Sequence, residues 1–158
     1  MKKTCLAIIA ALVIALGGVI YMFGLRGQVR ESDDGRTAVL LSAGERNLVL
    51  SEMRGFLEAV QEIAEALPQG DMKTVAEAAA RVGRVDLNDL PASLLRKLPG
   101  EVKRLGLDTH YKFHQLGKDV KNGLAKEKVL PRLAGIMTNC VGCHAGYRLD
   151  LEPGGGKP

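Results

Sequence analysis

"EKVLPRLAGIMTNCVGCHAGY", residues 127–147, decides how this chain is read. Val129, Leu133, Ile136, Cys140, Cys143 and Tyr147 recur at alternating steps of four and three, the spacing of one face of an α-helix. Pro131 suits that helix if it lies in the first turn, where its missing N–H is not needed. In a helix that began earlier it would produce a kink. Two of the chain's three cysteines lie on this face, and a histidine follows the second at once.

Working outward, the same periodicity recurs three times. Ser42 with Glu45 has the pattern of a capping box. Behind it Val49, Met53, Phe56, Val60, Ile63 and Leu67 form one buried stripe, which Pro68 and Gly70 terminate. Asp71 is a good N-cap for a second, short helix with a face of Val75, Ala78, Ala79 and Val82, ending at Gly83. Residues 84–100 contain Pro91 and Pro99 and read as a longer connection with a helical turn around Leu94. A third helix from Pro99 to Gly123 turns Val102, Leu105, Thr109, Phe113, Leu116 and Val120 inward. No strand pattern and no internal repeat is read. The expected fold is therefore all-α, an antiparallel four-helix bundle over residues 42–150. The tail 151–158, ending in "EPGGGKP", is expected to be disordered.

The N-terminal part is of another kind. Lys2 and Lys3 precede a stretch from Leu6 to Leu25 without a charged residue. At ~1.5 Å per residue such a helix spans ~30 Å, the thickness of a bilayer core. Residues 1–25 are read as a transmembrane anchor, with a cytoplasmic N-terminus set by the two lysines. The alternative is a cleaved signal peptide, with Ala15-Leu16-Gly17 imitating its site. Cleavage there would leave the apolar "GVIYMFGL" as a new N-terminus. Cys5 fits as a small apolar residue of the anchor. The polar residues 26–41 read as a tether to the folded domain. The net charge of +4 is modest and partly due to Lys2 and Lys3. No basic stripe with interleaved aromatics is present, so nucleic acid is not an expected partner.

C-x-x-C-H is the attachment signature of c-type haem. On a helix, positions i, i+3 and i+4 share a face. Two thiols there can meet the two vinyl groups of one porphyrin edge as thioethers, and His144 then supplies an axial imidazole. A structural zinc site wants four ligands, and Cys5, His110 and His114 do not form a second pair. A thioredoxin-like dithiol expects a βαβ setting. A disulfide within one helical turn constrains little. Covalent haem attachment in bacteria takes place on the outer side of the inner membrane. Motif and anchor together therefore place residues 26–158 in the periplasm. No acid–base pair or nucleophile stands beside the motif, so a carrier or binder is expected rather than an enzyme.

An export-type N-terminus, four helices and "CVGCHAGYR" near the C-terminus resemble the cytochrome c prime family, most of all its low-spin, Met-ligated relatives. The resemblance covers roughly residues 40–150 and rests on Cys140, Cys143, His144, Tyr147 and Arg148. The connection at 84–100 and the anchor depart from the compact soluble members. The resemblance implies one covalent haem c inside the bundle, with its other face toward the first helix, where Met53 is the corresponding residue. His110 is the rival sixth ligand, and no protein ligand is the third choice; the sequence leaves these open. Arg148 and Arg132 read either as partners of the haem propionates or as solvated helix surface. Tyr147 reads as packing against the porphyrin, and His114 as solvated. A Met ligand implies one-electron transfer with redox partner proteins of the respiratory chain or periplasm. An open sixth position implies binding of nitric oxide or carbon monoxide. Dimerisation through the first two helices is left open.

Overall fold

The computed structural model describes residues 2–86 and 88–154. Met1, Leu87 and the tail residues 155–158, whose disorder the sequence predicts, lie outside them. The described residues are mostly helical, with six α-helices and one small sheet. The first helix, α1 (Lys2–Ile20), is uncharged beyond Lys3 and continues into a π-helical turn, Tyr21–Arg26. Its stretch Lys3–Ile20 is long and apolar enough to cross a membrane, and none of it is buried by the rest of the chain.

Residues 26–41, read as a tether, instead hold two strands, β1 (Val29–Glu31) and β2 (Thr37–Leu41). Asp33, Asp34 and Gly35 form the turn between them, with Gly35 at φ 79°, a left-handed conformation that favours glycine. The strands pair antiparallel, Val29 opposite Val39. Gly27, at φ 68°, lies against the Lys97–Pro99 backbone, and the Gln28 N–H donates to the Lys97 carbonyl at 2.7 Å. A side chain at Gly27 would collide with that backbone. The apolar helix α1 thus leads through its π-helical turn directly into the fold.

Ser42 caps α2 (Ala43–Gln69) with the expected box: its hydroxyl accepts from Glu45 N at 3.3 Å, and the Glu45 carboxylate accepts from Ser42 N at 2.9 Å. Pro68 lies in the last turn, and left-handed Gly70 ends the helix. Asp71 caps α3 (Met72–Val82) through the Thr74 N–H. The turn around Leu94 is α4 (Ala92–Lys97), and α5 (Gly100–Lys121) follows Pro99. A 3-10 turn, Lys126–Lys128, leads into α6 (Val129–Gly146), with Pro131 in its first turn. Tyr147 then turns extended and opens β3 (Tyr147–Leu151), which pairs parallel with β2, Thr37 opposite Tyr147 and Leu41 opposite Leu151. The tail therefore starts later than expected: Leu151 is strand, and the Glu152 N–H donates to the Leu41 carbonyl at 3.0 Å.

α2 packs on α3, α3 on α5, and α5 on α6. The larger apolar cluster lies among these helices and includes Ile63, Val75, Ala79, Phe113, Leu116, Leu133 and Ile136. The smaller one lies under the sheet, where Val39, Leu41 and Leu94 are buried and Val49, Val102, Tyr147 and Leu149 pack against them.

Candidate haem-attachment site

α6 puts Cys140 and Cys143 on one side. Three residues along a helix amount to a rotation of about 300°, so the two lie roughly 60° apart around its axis. Both thiols are free and half-buried. Burial pushes both thiols up from their ordinary pKa; for Cys143 the neighbouring Cys140 and the Glu101 carboxylate add to it. Both therefore stay protonated at neutral pH. His144 follows on the exposed side.

The position of the motif along the fold is telling. On α2, Val49 packs against the sheet-side cluster and Phe56 against the helical one, with Met53 between them. On α5, Val102 and Phe113 flank Leu105 in the same way, and Ile136 on α6 and Tyr147 at the start of β3 flank the two cysteines. Met53, Leu105, Cys140 and Cys143 are all half-buried. The apolar surface continues outward: Leu57 on α2 is 69% exposed, and Met137 and Val141 on α6 are 41% and 68% exposed. From Leu133 to Gly146, α6 carries no Asp, Glu, Lys or Arg.

Polar contacts fix α6 on both sides of the thiols. Asn139 is buried, and its side-chain amide donates to Asp108 at 2.8 Å and to Thr109 Oγ1 at 3.2 Å, while its carbonyl oxygen accepts from Lys112 Nζ at 3.3 Å. At the other end the Tyr147 hydroxyl donates to Glu101 Oε2 at 2.8 Å. Arg36 Nη1 donates to the His144 carbonyl at 3.3 Å. Asn139, Glu101 and Arg36 escaped the sequence reading. Asn139, polar beside the inward stripe of α6, was the one signal on the motif's own helix.

Several expected site residues have partners within the chain. His110 is buried at the junction of α2, α3 and α5: its ring centroid is 4.7 Å from that of Phe56, and Nδ1 is 2.7 Å from the Val82 carbonyl. A carbonyl only accepts, so Nδ1 carries the proton. His114 is exposed. Arg132 stitches α6 to α5 through Asp119. Arg148 lies in β3, next to Tyr147 and so on the other face of the strand. Its Nε donates to Asp150 at 2.8 Å and its Nη1 to Asp34 at 3.3 Å. The arginines read as propionate partners are thus held by carboxylates of the chain itself.

The donor set fits a covalently held haem: two unpaired thiols on one face of a helix, an adjacent imidazole, and a run of that helix without charged side chains. Among the described residues no three His, Cys, Asp or Glu side chains gather as a cluster that could hold a bare metal ion. Comparison with family models, with curated proteins and with solved structures found no match.

Proposed function

We propose that this chain is a membrane-anchored c-type cytochrome that transfers single electrons on the periplasmic side of the bacterial inner membrane. The observation that carries the reading is the half-buried pair Cys140 and Cys143 on one face of α6, followed by His144. Along the chain they fall between Ile136, in the larger apolar cluster, and Tyr147, against the smaller one. Cys140 and Cys143 would hold the haem covalently, and His144 and the Met53 thioether would be the protein ligands of its iron. Bound there, haem supplies an iron that cycles between ferric and ferrous states. Tyr147, tied to Glu101, bounds the site where α6 gives way to β3.

The antiparallel four-helix bundle of α2, α3, α5 and α6 belongs to this proposal. It is supported by the successive packing of α2 on α3, α3 on α5 and α5 on α6. The retained anchor is supported by the apolar length of α1 and by the way Gly27 and Gln28 join it to α4. Full-length protein then stays with membranes through alkaline carbonate washing; a soluble, trimmed chain would point to a cleaved signal.

The sixth ligand is tested by spectroscopy of the matured protein. Wild type is expected to be low-spin and to bind little carbon monoxide after reduction. Met53→Ala is expected to become high-spin and to bind carbon monoxide readily. A wild type already high-spin, with Met53→Ala unchanged, would replace electron transfer by binding of nitric oxide or carbon monoxide. The same change in His110→Ala alone would move the ligand to His110.

A further inference from the structure

Arg36 reaches the motif from the far end of the domain's sequence. It follows the hairpin turn between β1 and β2 and is gripped by Asp34. Arg36 Nε and Nη2 donate to Asp34 Oδ2 at 2.9 and 2.6 Å, and its backbone N–H donates to Oδ1 at 3.1 Å. The Ser32 hydroxyl donates to the same Oδ1 at 2.5 Å and so fixes the carboxylate in turn. With two of its nitrogens held, Arg36 directs the third, Nη1, to the carbonyl of His144 at 3.3 Å.

That carbonyl belongs to the last turn of α6, where the backbone oxygens have no N–H partner within the helix. A cation there also complements the negative end of the helix dipole. Arg148 shares Asp34 with Arg36 and also pairs with Asp150, but the contact with the His144 carbonyl is made by Arg36. Nothing in the C-x-x-C-H motif or its flanks calls for Arg36; the pairing of β2 with β3 brings it there.

We propose that Arg36, locked by Asp34, is a positioning residue for His144: it fixes the backbone that carries the imidazole and places a permanent positive charge beside it, raising the reduction potential of a haem held by that histidine. This inference rests on the haem reading above. The sign follows from charge. Ferric haem carries one more positive charge than ferrous haem, so a nearby cation favours the reduced form. Asp34 offsets part of that effect while holding the cation in place.

The test is a redox titration of the matured full-length protein, followed by haem absorbance, on wild type, Arg36→Gln and Arg36→Lys. Intact mass first establishes that each carries one covalent haem. Arg36→Gln is expected to shift the equilibrium toward the ferric form about three- to tenfold, ~30 to 60 mV at 59 mV per tenfold for one electron. Arg36→Lys, which keeps the charge, is expected to stay nearer to wild type than Arg36→Gln. A merely structural Arg36 would lower the unfolding midpoint and leave the potential where it was. An unchanged potential in Arg36→Gln overturns the inference with the haem reading intact. A wild type without covalent haem, seen in the mass before any titration, overturns the haem reading and this inference with it.

Discussion

The contact of α3 with α5 and the surface of α6 are both apolar, yet they are built in opposite ways. Where α3 meets α5 the helices touch backbone to backbone. A Cβ at Gly117 would lie 3.0 Å from the Ala76 carbonyl oxygen, and one at Gly83 would lie 2.5 Å from the His114 nitrogen. Val75, Ala78, Ala79 and Phe113 are essentially inaccessible there. α6, by contrast, buries only Val129, Leu133, Ile136 and Asn139. It keeps two half-buried thiols and the exposed Met137 and Val141 on a face without charge. A helix made to end at water carries charges on its outer face. The first contact is closed by protein atoms alone; the second leaves an uncharged face around C-x-x-C-H, the face on which the proposed haem would lie.

The sharpest way to break this comparison is through the closed side. Phe113→Ala removes a fully buried ring stacked 5.6 Å from Phe56 and should cost about 3–5 kcal/mol in denaturant unfolding. A loss below about 1 kcal/mol would mean that the α3–α5 side is not the stable half. Gly83→Ala adds one methyl group against backbone that cannot move independently of α5, and should cost about 1–3 kcal/mol. A neutral result would show that the helices are not in the close contact described.

Glu45 connects α2 to the sheet end, where Lys97 Nζ reaches it at 2.6 Å and also pairs with Glu152. Burial raises the Glu45 pKa, but hydrogen bonds from Lys97, Ser93 and Ser42 outweigh it and bring it from 4.5 to about 2. The folded value lies below the unfolded one, so this contribution is complete above the ordinary carboxylate range and is lost as pH falls toward 2. Glu45→Gln should cost about 1–2 kcal/mol at pH 7 and flatten the loss of stability between about pH 4.5 and 2. An unaltered pH profile would remove Glu45 from the account. The smallest effect belongs to α6: Val141→Ser, at a site 68% exposed, should leave the stability of the haem-free chain within about 0.5 kcal/mol. A larger loss would show that this face is covered by the chain itself.

The helices were legible because each has both a periodic stripe and punctuation. Ser42 and Glu45 mark the start of α2, Pro68 and Gly70 its end, and Asp71 the cap of α3. The sheet was not, although its signals are present. Asp34-Gly35 is a hairpin dipeptide between two short runs. "YRLDL" alternates strictly, with Tyr147 and Leu149 against the small cluster and Arg148 and Asp150 turned away. Both runs are short, and β3 finds its partner β2 more than a hundred residues earlier. No local pattern carries that pairing. The candidate site divides along the same line. Cys140, Cys143 and His144 are adjacent and could be read directly. Arg36 reaches His144 only through the sheet, and Arg148 is drawn by the same sheet to Asp34 and Asp150.

The most direct test of the central claim is the intact mass of the chain matured in cells equipped for covalent haem attachment, taken before and after acid–acetone extraction. The account predicts the mass of the chain plus one haem, unchanged by extraction, and its complete loss when Cys140 and Cys143 are both replaced by serine. A wild-type chain at its bare polypeptide mass, or one that gives up all its colour to the solvent, would contradict it.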